Sequence, residues 1–151
     1  ILHKLMEELI TGELGSHSDE AIERAAELLA QLQPTVSDEP DAGNPDAIEM
    51  AETALRTFAL PELAPFLTLL VPEIPLWAAN PPHFLAGRAD AAAIDGERIS
   101  LVVDWKSDVT PDTAAHSAHA AQLRDYLRVI GAERGAIVYM SRGQVSWVEP
   151  A

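Results

Sequence analysis

The spacing of apolar residues changes near Leu69, and this change limits the possible fold more than any other feature of the chain. Before Leu69, apolar residues recur every three or four positions, which is the period of an amphipathic helix. After it, the apolar runs are short, often β-branched and bounded by Gly, Pro or Asp, as in strands. The sequence therefore predicts an α/β domain of the α+β type, in which a central mixed β-sheet is flanked by helices and preceded by a helical segment.

Helix caps and turn residues give the predicted limits of each element. Asn44 and Pro45 are typical of a helix start, Gly131 of a helix end, and the pairs Asp95-Gly96 and Arg142-Gly143 of hairpin turns. The proline- and acid-rich segment 34–44 predicts a solvated loop. The predicted helices are Leu2 to Gly12 or Gly15, Ser18 to about Pro34, Pro45 to about Phe58 and Thr113 to Ile130; the predicted strands are 69–79, 83–95, 97–107, 134–140 and 144–150.

The chain has 151 residues, of which 48% are apolar, and this is enough for one domain with its own core. We predict a single domain over 1–151, with a helical part at 1–66 and the sheet and its helix at 67–151. The sequence starts at Ile1, inside a helical pattern with no residue in front to cap it. We therefore expect either a fragment of a larger polypeptide or a leader segment before Ile1; the resemblance described below implies the C-terminal fragment of a helicase-nuclease.

Composition excludes several classes of function. The chain has no cysteine, which excludes disulfides, cysteine zinc sites, iron–sulfur clusters and thiol nucleophiles. No apolar run is long enough to cross a membrane and the N-terminus does not resemble a signal peptide, so we expect a cytoplasmic protein without a membrane partner. The net charge of −14 repels nucleic acid at long range, so any contact with DNA must be local or assisted by a partner.

Charged residues follow the apolar run of LVVDWKSD, residues 101–108. On a strand, Val102, Asp104 and Lys106 share one face, and the residues between them form the opposite, apolar face. A carboxylate and an ammonium roughly 7 Å apart suit a divalent metal ion beside a polarising cation. Asp90, in the neighbouring strand segment GRAD, offers a second carboxylate, and Gly87 of the same segment leaves room for a phosphodiester backbone.

The register of the hairpin decides whether the two carboxylates meet. A two-residue turn at Asp95-Gly96 would place Asp90 opposite Leu101, on the face away from Asp104. A three-residue loop over 94–96 with a left-handed Gly96 would pair Asp90 with Ser100 and place it on the face of Asp104. A shared metal site therefore predicts an odd-length loop or a β-bulge.

The segments GRAD, VVDWKSD and AQLRDYL, in this order, resemble the PD-(D/E)XK nuclease superfamily. They are similar in particular to the C-terminal nuclease domain of RecB- and AddA-type helicase-nucleases. The motifs there are a Gly-x-x-Asp strand, an Asp-Tyr-Lys-Thr strand, a Gln-x-x-x-Tyr helix and an earlier helical His. Trp105 and Ser107 differ from the family's usual Tyr and Thr but keep an aromatic ring and a hydroxyl.

The resemblance implies a restriction-endonuclease-like core and a role for each matching residue. Lys106 would orient the attacking water or stabilise charge on the phosphate, and Mg²⁺ or Mn²⁺ would be the cofactor. The implied catalytic residues are Asp90, Asp104, Lys106, Gln122 and Tyr126, and the implied metal ligands are His3, Glu73, Asp90 and Asp104.

The function implied by the resemblance is metal-dependent exonuclease activity on DNA in double-strand break repair and recombination. The implied partners are DNA, the helicase portion of the same polypeptide and a second helicase-nuclease subunit. Two alternatives stay open: a catalytically inactive module that binds DNA ends or a protein, and a stand-alone restriction-type or repair endonuclease. His116 and His119 have no third ligand nearby in the sequence, so we expect them to be solvated.

Overall fold

The computed structural model describes residues 1–32, 40–80, 83–107 and 112–150. The chain separates into two compact units, Ile1–Leu60 and Pro61–Ala151, which are considered in turn. The division lies close to the predicted change from helices to sheet at residue 66, and the single domain over 1–151 stays a prediction. Most of the loop predicted at 34–44 lies outside the described residues.

The first unit consists of three helices, α1 (Leu2–Thr11), α2 (Ser18–Leu32) and α3 (Pro45–Phe58). As predicted, α1 ends at Gly12, which has a left-handed φ of 78°. The side chain of Asn44 accepts a hydrogen bond from the backbone N–H of Asp46 at 2.9 Å and so caps α3. Most of the side chains in the buried core of this unit are small. The core includes Leu5, Met6, Leu9, Ala21, Ala25, Ala26, Ala47, Ala51 and Ala54.

The second unit is a five-stranded mixed sheet with one long helix, which confirms the predicted α+β class. The strands lie in the order β1-β2-β3-β4-β5; β3 and β4 are parallel and the other neighbours are antiparallel. In the part of the chain that the structure describes, no helix has the length and apolar character needed to cross a membrane. The elements are β1 (Leu70–Asn80), β2 (His83–Asp95), β3 (Arg98–Lys106), α4 (Thr113–Ile130), β4 (Gly135–Tyr139) and β5 (Gln144–Val148), with short 3-10 turns at Leu67–Leu69 and Met140–Arg142.

The helix α4 connects the parallel strands β3 and β4 and covers one face of the sheet. Asp112 caps its start by accepting a hydrogen bond from the backbone N–H of Ala115 at 2.6 Å, and Gly131 ends it with a φ of 70°. Gly135 of β4 lies so close to α4 that a Cβ atom there would be 2.8 Å from the side chain of Leu123. This helix and the sheet beneath it bury a cluster that includes Leu76, Val102, Leu123, Leu127, Ile137 and Val148.

The β2–β3 hairpin turns one residue later than either predicted register. Asp95 pairs with Arg98 across a two-residue turn in which Gly96 has a φ of 61°. The register then shifts next to Ile94, so that Ala93 pairs with Leu101 and Ala92 with Val102. Both predicted partners of Asp90, Leu101 and Ser100, were therefore wrong. The shift places Asp90 level with Asp104 on the neighbouring strand. The β-bulge that was predicted for a shared metal site is therefore confirmed.

The β1–β2 ladder has an interruption of its own at the position of Asp90. Pro72 pairs with Ala91 and Ile74 with Ala89, so the register is the same on both sides, but Glu73 and Asp90 between them do not form a ladder pair. Glu73 has a φ of 55°, in the left-handed region that non-glycine residues rarely adopt. Residues three apart on a regular strand point to opposite faces. The interruption therefore accounts for Gly87 and Asp90 both facing α4.

Candidate functional site

A cavity of about 100 Å³ lies between the sheet and α4 in the second unit. Strand β2 supplies one carboxylate to its lining, the C-terminal end of β3 supplies a carboxylate and an ammonium, and α4 supplies polar side chains from above. All five residues that were expected to be catalytic line this one cavity: Asp90, Asp104, Lys106, Gln122 and Tyr126.

Hydrogen bonds hold the two carboxylates in place. The backbone N–H of Trp105 donates to Oδ2 of Asp90 at 2.7 Å, so the central strand fixes the side chain of its neighbour. The ammonium of Lys106 lies 3.0 Å from Oδ2 of Asp104, and both side chains of this ion pair are mostly buried. Two acidic groups and one basic group are therefore held within a single partly dry pocket.

Burial raises the pKa of Asp104 above its ordinary value. The ammonium of Lys106 acts in the opposite direction, whereas the nearby carboxylate of Asp90 raises the pKa further. Two neighbouring acids that are only partly neutralised by one lysine leave a local excess of negative charge. Such a pair of carboxylates favours binding of a hard divalent cation, which takes oxygen ligands from protein, water and phosphate.

Tyr126 and Gly87 are matched in shape. A Cβ atom at position 87 would collide with the hydroxyl of Tyr126 and would lie 2.7 Å from its Cζ. Glycine at this position therefore allows the tyrosine ring to lie directly over β2. Gln122, one turn earlier on α4, is exposed at the cavity mouth, so both side chains of the helix motif border the same space.

Glu73 lies beside the cavity in an ion pair with Arg88. Its Oε2 accepts a hydrogen bond from Nη1 of Arg88 at 2.8 Å, and Arg88 itself lines the cavity. Arg88 was not expected at the site; its position two residues before Asp90 was the available signal. The structure therefore places the carboxylate of Glu73 next to a cavity residue, and its role as a metal ligand stays a prediction.

His3 lies on α1, in the first unit, and its side chain is exposed. Its role as a metal ligand stays a prediction. Among the residues that the structure describes, no group of three or more His, Cys, Asp or Glu side chains is arranged to hold a metal ion. The acidic oxygen donors of the cavity are accordingly Asp90 and Asp104.

The two histidines of α4 are not solvated, so that expectation was wrong. His116 is half-buried, with Nδ1 2.6 Å from the hydroxyl of Tyr139 and Nε2 3.5 Å from Oγ of Ser146. His119 is half-buried and lines the cavity. His119 lies three residues before Gln122, so it shares a helix face with Gln122 and Tyr126. This spacing was the feature of the sequence that could have predicted its place at the cavity.

No model of a protein family matches the chain, and no curated protein matches it either. The functional conclusion therefore depends on the geometry of the cavity and on the resemblance of its motifs.

Proposed function

We propose that the chain is a metal-dependent DNA nuclease that hydrolyses phosphodiester bonds. The observation that carries this proposal is the convergence of Asp90, Asp104 and Lys106 on one cavity under a helix that presents Gln122 and Tyr126. These residues come from three consecutive elements, β2, β3 and α4, and the same cavity brings all of them together. Their order and spacing also agree with the motifs of PD-(D/E)XK nucleases.

The donor set fits a divalent cation. Asp90 and Asp104 provide carboxylate oxygens from adjacent strands, and Mg²⁺ commonly takes one or two carboxylates together with water and substrate phosphate. When bound, the ion polarises the scissile phosphate and lowers the pKa of a bound water. The local excess of negative charge around Asp104 is the feature of the site that favours such an ion.

The remaining residues position the substrate and the attacking water. Lys106, 3.0 Å from Asp104, donates hydrogen bonds either to the water or to a phosphate oxygen that gains charge. Gln122 and Tyr126 donate from α4 to phosphate oxygens on the other side of the cavity. The water oxygen bonds to phosphorus, one P–O ester bond breaks, and a proton from the water reaches the leaving oxygen, so the products are a phosphate monoester and an alcohol.

The cellular role follows from the same resemblance. We propose that the chain acts as an exonuclease in double-strand break repair and recombination, in the cytoplasm, within a polypeptide that carries a helicase. A helicase and a second helicase-nuclease subunit would deliver the strand to the site, since the chain, with its net charge of −14, attracts no DNA at long range.

Cleavage of end-labelled linear DNA tests the proposal. The chain is incubated with single- and double-stranded substrates in Mg²⁺ and in Mn²⁺, and we expect degradation that a chelator abolishes. Asp104→Asn and Lys106→Ala should each lower the rate about a hundredfold or more, because the first removes a carboxylate that would hold the metal ion and the second removes a cation beside the reacting phosphate.

Two matched variants serve as controls. Lys4→Ala removes the other lysine of the chain, and Asp125→Asn removes an exposed acid of α4 that pairs with Arg128. Both should cleave at the wild-type rate. In parallel, Mn²⁺ should raise the melting temperature of the wild type and not that of Asp104→Asn. Absence of both cleavage and Mn²⁺ binding would contradict the proposal, whereas DNA binding without metal or cleavage would favour an inactive module.

A further inference from the structure

His119 is a polar residue of the cavity that the mechanism above does not use. Its ring lines the cavity together with Asp104, Lys106 and Gln122. Its Nδ1 atom is buried and has no hydrogen-bond partner within the described part of the chain. A buried polar atom without a partner destabilises the fold, so its presence calls for a reason other than stability.

His116, one turn earlier on the same helix, provides the comparison. Both of its ring nitrogens are used within the protein, by the hydroxyl groups of Tyr139 and Ser146. A histidine that only fills space between α4 and the sheet therefore finds internal partners at this depth. His119 is half-buried like His116 and lines the cavity, but its buried Nδ1 has no hydrogen-bond partner among the described residues.

The surroundings indicate the chemistry of the missing partner. Arg88, Lys106, Gln122 and Tyr126 all bring hydrogen-bond donors to the cavity, which suits an anion with several acceptor oxygens. A neutral imidazole with its hydrogen on Nδ1 is a donor that complements these groups.

We propose that His119 contacts the substrate and donates a hydrogen bond from Nδ1 to a non-bridging oxygen of a DNA phosphate in the cavity. This inference rests on the proposed function, since it takes nucleic acid to be the occupant. It adds a position to the helix motif, which becomes His-x-x-Gln-x-x-x-Tyr over residues 119–126. His119 then belongs to the substrate-binding surface and not to the core.

The first test separates KM from kcat for cleavage of a short single-stranded oligonucleotide. His119→Ala should raise KM about tenfold and change kcat by less than about threefold, because the contact is present before and during the reaction. The Asn side chain can place an N–H near the position of Nδ1, so His119→Asn should return KM to within about threefold of the wild type. An unchanged KM in His119→Ala, or no recovery in His119→Asn, would overturn the inference.

The second test uses the wild-type chain and does not depend on cleavage. Long-range ¹H–¹⁵N spectra of the histidine rings are recorded as the chain is titrated with a phosphodiester oligonucleotide or with a methylphosphonate of the same sequence. In the methylphosphonate, one non-bridging oxygen is replaced by a methyl group. The Nδ1 resonance of His119 should shift with the phosphodiester and much less with the methylphosphonate, and His116 should respond to neither.

The outcomes distinguish this inference from the proposed function. If the chain does not cleave DNA but His119 responds only to the phosphodiester, the phosphate contact holds and the hydrolytic function fails. If the chain cleaves DNA and His119 does not respond, the function holds and this inference fails. An equal response to both oligonucleotides, or no binding of either, also overturns the contact with phosphate oxygen.

Discussion

Asp104 carries an electrostatic cost in the folded chain. Burial and the charge of Asp90 raise the pKa of its carboxyl group, and Lys106 offsets only part of this effect. A raised pKa means that the folded state binds the proton more tightly than the unfolded state does. The contribution to stability is therefore present below the ordinary value of 3.8 and is lost as the pH rises through the folded-state pKa.

Replacement of Asp104 by Asn should accordingly stabilise the metal-free chain. We expect the free energy of unfolding of Asp104→Asn to match that of the wild type near pH 3, below the ordinary value of 3.8, and to exceed it increasingly as the pH rises through the folded-state pKa of Asp104. Urea unfolding across this pH range, with a chelator present, measures the difference. Asp125→Asn, which removes an exposed acid, should show no such trend, and a difference independent of pH would contradict the assignment.

Gly87 is expected to tolerate no side chain while Tyr126 is present. The added Cβ of Gly87→Ala would collide with the tyrosine ring, so we expect a loss of about 1–3 kcal/mol in unfolding free energy and a large loss of cleavage. A double-mutant cycle with Tyr126→Leu tests whether the collision with the tyrosine ring causes the loss of stability. If the collision is the reason, Gly87→Ala should cost little stability in the Tyr126→Leu background, whereas additive effects would rule it out.

Two irregularities along β2 decide which side chains face α4. One is the register shift beside Ile94, and the other is the interruption where Glu73 lies level with Asp90. The first aligns Asp90 with Asp104, and the second allows Gly87 and Asp90 to face the same helix. β-Bulges and strained residues are frequent next to active sites, where they redirect side chains.

The helices of the first unit are joined by a largely buried ion pair. Arg24 of α2 donates from Nε and Nη2 to the carboxylate of Glu8 on α1, at 2.8 Å in the shorter contacts, and these bonds lower the pKa of Glu8. A lowered pKa contributes stability above the ordinary value of 4.5, and this contribution is lost as the pH falls through the folded-state pKa.

Glu8→Gln should therefore lower the unfolding free energy by about 2 kcal/mol at neutral pH and by much less near pH 3. Chemical unfolding followed by helical circular dichroism measures the change. Glu7→Gln is the matched control: this neighbouring glutamate pairs with Lys4 in a more exposed position, so its loss should cost less than about 0.5 kcal/mol. Equal effects of the two substitutions would contradict the role assigned to the Glu8–Arg24 pair.

The net charge of the whole chain affects how strongly it can bind DNA. A net charge of −14 opposes long-range attraction, and the cations that line the cavity are Arg88 and Lys106. Two phosphate contacts release about two counterions, which for a single strand gives a slope of roughly −1.4 in log K against log salt.

Binding of the isolated chain to a single-stranded oligonucleotide should thus depend only weakly on salt. We expect a slope no steeper than about −1.5 in fluorescence anisotropy titrations over a series of KCl concentrations. A methylphosphonate oligonucleotide, which lacks the charges, should give a slope near zero. A slope of −5 or steeper would mean that the chain has a basic track along the DNA that its charge distribution does not indicate.

The same acidic balance makes a partner useful to the proposed nuclease. A basic channel elsewhere in the polypeptide, or in a second subunit, would supply the attraction that this chain lacks. The cavity then needs only local contacts: a pair of carboxylates for the metal, Lys106 for the reacting phosphate and the face of α4 for its oxygens.

Sequence by itself determined the elements and the order in which they occur. The predicted limits of α4 agree with the observed Thr113–Ile130, and α1 ends at the predicted Gly12. Helices and strands follow from short-range properties, namely side-chain periodicity, caps and turn residues, and each of these is readable within a few positions. The motif residues of the cavity were found in the same way, since each lies at a fixed spacing within one element.

Only the tertiary structure decided how those elements align. The register of β2 against β3 depends on a bulge whose position no local pattern marks, and both predicted partners of Asp90 were wrong for this reason. The pairing of Glu73 with Arg88 and the place of His119 at the cavity likewise arise from packing between distant segments. Periodicity shows which residues of one element share a face. Which residues of another element lie next to them depends on long-range contacts that a single sequence does not specify.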